Sequence, residues 1–265
     1  MDIIKRNFLN LLRNGAFGEQ LPIEAMSDFK WKVLLSVAKI HLVDNWVGDS
    51  LDKGLTVSGQ SIPDAGASHL SNAWLNRKLM SIRENEPLSE DASIETLNML
   101  DIIVQATQSI ITYGFSLGYI IKIGQYIRQD GHKIDYIKLT KWLHDLHIFR
   151  MAQLEASILV DSLGFEADEI QYMEYMDKSA HTLVTYSIDH PLRIKADEWH
   201  VRQLSNGMIE NNNKVMLQTI RNCHRYMQYA PMEAVSTLCV RFVASLSNLA
   251  EQHTLIPTIR YCRKT

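Results

Sequence analysis

Four polar residues, Arg150, Gln153, Ser157 and Asp161, recur at intervals of three, four and four in a stretch that is mostly apolar. That spacing places them on one face of a helix, in line with His147 just before them. The neighbouring positions are Phe149, Met151, Leu154, Ile158, Leu159, Val160 and Leu163. A guanidinium, an amide, a hydroxyl and a carboxylate in register could line a ligand pocket, with the His147 imidazole as a proton carrier. The same stripe could bond to a neighbouring loop or face water, because buried polar groups require partners. No residue is assigned a catalytic role.

A second pattern is basic. Lys214, Arg221 and Arg225 recur at i, i+7 and i+11, with Gln218 among them, on a helix expected over 213–229. Such a stripe can grip phosphates. The net charge of −3 and the lack of interleaved aromatics argue against nucleic acid as the partner. Metal chemistry finds less support. His144 and Asp145 are adjacent, so on a helix they diverge by about 100°. Asp189, His190, Asp197, Glu198 and His200 cluster in sequence but match no ligand spacing. No nucleophile elbow, phosphate loop or dinucleotide fingerprint is present. No metal and no cofactor is expected.

The elements that must position these residues are helices. The periodicity predicts helices at 3–14, closed by Gly15, from Ser27 to about Gly48, and at 69–85. Longer ones follow over 92–129 and, as a single helix, over 134–164, then 166–186, a short one at 195–205, 213–229 and 231–252. Five residues, Gly48, Gly54, Gly59, Pro63 and Gly66, mark a loop over 48–68. Pro231 suits a helix first turn, and Glu233 then lies near the favourable end of its own helix dipole. The fold class is all-α: a bundle of about eight to ten helices without substantial sheet. It forms one domain over 1–265, with a possible division into 1–68 and 69–265.

Composition agrees. The 265 residues are 46% hydrophobic and 22% charged, with 12 Gly and 6 Pro, which excludes a disordered tail and a turn-rich β protein. Three cysteines, Cys223, Cys239 and Cys262, form neither a disulfide framework nor a zinc spacing. Reduced thiols and the lack of a visible secretion signal place the chain in the cytoplasm. Ile102 to Ile121 carries no charge and matches the length of a membrane span. Gln105 and Gln108 would be hard to satisfy in lipid, so a buried bundle helix is expected, with Gly114 and Gly118 as close-packing positions.

Three stretches resemble a known family. They are Phe8-Leu-Asn-Leu-Leu-Arg-Asn-Gly15 with Trp31 to His41, then Ile134 through Trp142 and Arg150 to Phe165, and then Thr219 to Ala234. Together they resemble the nucleotidyltransferase-like proteins of surface-polysaccharide gene clusters. The resemblance implies helices flanking a transferase core that carries an Asp-x-Asp metal pair. This chain contains no such pair; Glu84-Asn-Glu86 and Glu166-Ala-Asp168 are the nearest approximations. The implied protein is therefore a non-catalytic helical relative, an interaction or regulatory factor whose partner is another protein or a second copy of itself. The alternatives are an enzyme using the stripe of His147, Arg150, Gln153, Ser157 and Asp161, and a nucleic-acid binder using Lys214, Arg221 and Arg225.

Overall fold

A computed structural model describes residues 2–51, 68–89, 91–190, 202–203, 209–210 and 213–243. The described residues are mainly helical: α1 (Ile3–Phe17), α2 (Asp28–Ile40), α3 (Asp44–Ser50), α4 (Ala73–Asn85), α5 (Ile94–Tyr113), α6 (Leu117–Asp130), α7 (Tyr136–Asp145), α8 (Phe149–Leu163), α9 (Ala180–Asp189) and α10 (Asn213–Tyr226). Residues 231–243 form α11. The only sheet among the described residues is a two-residue antiparallel ladder, Arg202 opposite Glu210 and Gln203 opposite Ile209.

The all-α expectation holds, but several boundaries differ for definite reasons. The helix expected over 134–164 is two helices. Ile148 N–H bonds to the Leu143 carbonyl at 3.1 Å and His147 N–H to His144 at 3.0 Å, a cap that places His147 in the left-handed region at φ 54°. The same device at Leu42, φ 58°, separates α2 from α3. Gly114, φ 103°, ends α5, so the uncharged stretch is broken and Gly114 is a terminus rather than a packing position. No helix among the described residues is long and apolar enough to cross a membrane. The helix expected over 166–186 begins only at Ala180; residues 170–179 are irregular. Gly15 does not end α1, which runs on to a Gly18 cap. A Cβ at Gly15 would run into the Trp46 carbonyl, so the glycine is what lets α1 lie against α3. The expected loop lies almost wholly outside the described residues, as does the helix expected over 195–205 apart from the short β pairing.

α5 and α8 form the centre. α5 packs against α6, α7, α8 and α10, while α8 packs against α1, α6, α7 and α9. Leu100, Ile103 and Val104 of α5 and Leu154, Ile158 and Leu159 of α8 are fully buried. Burial of aliphatic side chains of this size contributes about 1.5–3 kcal/mol each and dominates the stability of the bundle. The break between α2 and α3 is also a joint. The His41 carbonyl, left without a helical partner, accepts Ser116 Oγ–H at 2.7 Å and Gly118 N–H at 3.1 Å from the start of α6.

Candidate functional site

α8 is buried on almost every side, which requires its polar residues to find partners inside the protein. Gln153 and Ser157 find them in the irregular segment before α9. The Gln153 amide donates to the Tyr172 carbonyl at 2.8 Å and accepts N–H bonds from Glu174 at 2.8 Å and Tyr175 at 3.3 Å. Ser157 donates to the Gln153 carbonyl at 2.7 Å and accepts from Asp177 N–H at 2.8 Å. These side chains hold a chain segment that has no regular hydrogen bonding of its own. Asp177 and Tyr229 in turn both bond to Ser179, at 2.5 and 2.6 Å, joining the segment to the start of α11.

The remaining residues of the stripe lie elsewhere. Asp161 pairs with His181 Nδ1 at 3.0 Å and accepts from Ser162 Oγ at 2.9 Å near the surface. Arg150 is exposed. His147, in the turn between α7 and α8, stacks on Trp74 with ring centres 6.1 Å apart. Lys78 lies 4.3 Å over the same Trp74 ring and donates to the Asp145 carbonyl at 3.3 Å. The five residues therefore do not converge: Gln153 and Ser157 face inward on backbone, while His147, Arg150 and Asp161 lie outside.

Sequence reasoning missed Glu155, which stands on the opposite side of α8 from the stripe. It is completely buried, touches Thr107 Oγ1 at 3.4 Å, and leaves its Oε2 without a hydrogen-bond partner. Burial pushes its carboxyl well above the usual range, partly opposed by Thr107. Burial, with the Glu155 carboxyl as a second cause, also pushes Tyr172 well up. A single acid inside an apolar run was the available signal.

Of the basic stripe, Arg221 and Arg225 are exposed on α10, and the side chain of Lys214 lies outside the described residues. The missing aromatic is supplied by α9: the Arg225 guanidinium sits 5.2 Å from the Tyr186 ring centre, and His190 stacks on that ring at 4.4 Å. The tyrosine ring is thus already engaged within the fold. No group of three metal-ligating side chains occurs among the described residues. Asp189 pairs with Lys5 at 2.6 Å, and residues 191–200 lie outside the described part.

The most unusual surface belongs to α11. Its inward face combines core apolar residues, with Ala234 buried and Met232 and Leu238 packed against the core, with a set of buried polar groups. Glu233 accepts Ser71 N–H at 2.6 Å and Asn72 N–H at 3.1 Å at the start of α4, and Thr237 donates to Ser71 Oγ at 3.1 Å. Asn72 donates to Ser236 at 2.9 Å, and Gln108 to Ser71 at 2.9 Å. The carboxylate expected to serve its own helix instead satisfies the N-terminal amides of another. With that face fixed inward, the outer face is apolar. Glu233 and Thr237 are 0% and 1% exposed, whereas Val235, Phe242 and Val243 are 48%, 48% and 63% exposed. Cys239 is exposed between them.

Comparison with protein-family models, curated proteins and solved structures finds no match to this chain.

Proposed function

We propose that the protein is a non-catalytic helical interaction factor that binds another protein chain through the outer face of α11. The observation that carries this reading is the group of exposed apolar side chains on the outer face of α11. Ordinary surface helices turn apolar residues to the core and polar residues to water. Here Glu233 and Thr237 are buried while Val235, Phe242 and Val243 are in solvent. Exposed apolar residues grouped on one helix face mark interaction surfaces. Covering each of these side chains with a partner recovers about 1.5–3 kcal/mol before the costs of association.

The stripe on α8 supports the same reading from the other side. Its two buried members already have their hydrogen-bonding groups engaged by backbone, which leaves little for a substrate. The relationship to nucleotidyltransferase-like proteins, with the surface-polysaccharide setting it implies, rests on the three quoted stretches alone. A photo-reactive residue placed at Phe242 in living cells tests the interaction. The expected result is a specific protein adduct at that position and none from the same probe at exposed Lys32. No adduct at position 242 would end the proposal.

A further inference from the structure

We infer that the surface where α4 meets the α7–α8 turn docks an acidic segment of another protein. The inference goes beyond the reading of α11, and no residue of that helix contributes to it. Two contacts set α4 and α7 side by side in opposite directions. Lys138, near the start of α7, pairs with Glu86, just past the end of α4, at 2.9 Å. Lys78, in the first half of α4, donates to the carbonyl of Asp145, at the end of α7, at 3.3 Å. The chain then turns at His147, whose ring stacks on Trp74 with centres 6.1 Å apart.

This arrangement gathers cations around an exposed aromatic ring. Trp74, Arg77 and Lys78 stand at i, i+3 and i+4 and so share one face of α4. Lys141 lies one helical turn before Asp145 on α7, and Arg150 is in the first turn of α8, just after His147. Trp74 is 49% exposed, and Arg77, Lys141 and Arg150 all face solvent. Elsewhere on the bundle Arg6 pairs with Glu24, Arg13 with Glu19 and Arg83 with Asp101. Here the charges are left open. Among the described residues, no carboxylate lies within ion-pair distance of Arg77, Lys78, Lys141 or Arg150, Asp145 and Glu84 on the same two helices included.

The chemistry that complements this surface is a run of carboxylates around an apolar side chain. One exposed ion pair contributes little, so a lone carboxylate is not held. A segment with several acids meets several cations at once, and the guanidinium forks of Arg77 and Arg150 suit carboxylates in particular. Its apolar residue covers the open part of the Trp74 ring. A nucleic-acid strand fits less well. The Trp74 ring already carries Lys78 at 4.3 Å and the His147 ring, so a base finds it occupied. The net charge of −3 also opposes a long polyanion.

Fluorescence anisotropy at low salt, with the full chain and a labelled glutamate-rich peptide carrying a central leucine, tests the inference. The wild type should bind the peptide and lose it as salt is added. The Arg77→Glu, Arg150→Glu double variant should bind about tenfold more weakly or worse. Lys39→Glu with Lys178→Glu makes the same change of charge at exposed positions elsewhere, and should stay within about twofold of wild type. Both doubles alter exposed side chains, so equal melting temperatures show that the loss is not unfolding. Trp74→Ala should also weaken binding, by about threefold to fivefold, because the apolar contact is lost. A wild type that ignores the peptide at low salt overturns the inference, as does an equal loss in the two doubles. An oligothymidylate held by Arg77 and Arg150 as tightly as the peptide overturns it too, in favour of nucleic acid.

Discussion

Glu233 on α11 accepts the backbone N–H of Ser71 at 2.6 Å, joining two residues 162 positions apart in sequence. The bond ties the last described helix to the start of α4 and determines which side of α11 faces water. Glu233→Ala should therefore cost about 2–3 kcal/mol, since it strands two part-buried amides that share its side-chain oxygens. Glu233→Gln should cost less, because one acceptor oxygen remains. Denaturant unfolding measures both, and equal losses would contradict this role.

Gln153 offers a similar test on α8. Gln153→Leu removes the partners of Tyr172 O, Glu174 N and Tyr175 N. The expected loss is about 2–4 kcal/mol, with faster amide exchange confined first to residues 172–177. Arg150→Ala, on the exposed end of the same stripe, should change stability by less than about 0.5 kcal/mol. An unaffected Gln153→Leu protein would show that the segment is held by something else.

His41 sets the acid side of the stability profile. It is buried between the rings of Phe8 and Phe115, and burial lowers its pKa from 6.5 to about 4, with the Ser187 backbone opposing. Between those values the unfolded chain binds a proton that the folded chain does not, so stability falls as pH drops from 6.5 toward 4. The displacement is worth about 3 kcal/mol. His41→Leu should flatten this limb of the curve of unfolding free energy against pH. An unchanged slope would remove His41 as its cause.

Glu155 acts in the opposite direction. Its carboxyl titrates well above 4.5 when folded, so the folded state retains a proton that the unfolded state releases. The contribution is fully present below pH 4.5 and is lost as pH rises toward the folded value. Glu155→Gln keeps an acceptor for Thr107 and has no proton to lose. The variant should gain on the wild type as pH rises above 4.5, and parallel profiles would refute a carboxyl whose pKa is raised by folding.

Gly15 is a packing prediction. Gly15→Ala would place a methyl against the Trp46 carbonyl, which is backbone and yields poorly. Thermal unfolding should show a loss of about 1–3 kcal/mol, although alanine has the better helix propensity. A gain in stability would mean that α1 and α3 can move apart.

The sequence by itself determined the all-helical class and much of the core, because apolar residues at a 3.6-residue period form a single buried face only in a helix. It determined Gly164 as the end of α8, where φ is +75°. It also marked Gln153 and Ser157 as residues needing partners. Tertiary structure alone decided the breaks at Leu42 and His147, where non-glycine residues adopt left-handed caps without the usual glycine signal. It alone decided that Gln153 meets the Tyr172 segment, and that Asn7, Asn10 and Asn14, three and four residues apart, hold the backbone of residues 21–24. The orientation of α11 belongs with these. Periodicity separates the two faces of a helix, but only the amides of Ser71 and Asn72, brought from far along the chain, draw Glu233 inward and leave Val235, Phe242 and Val243 in water.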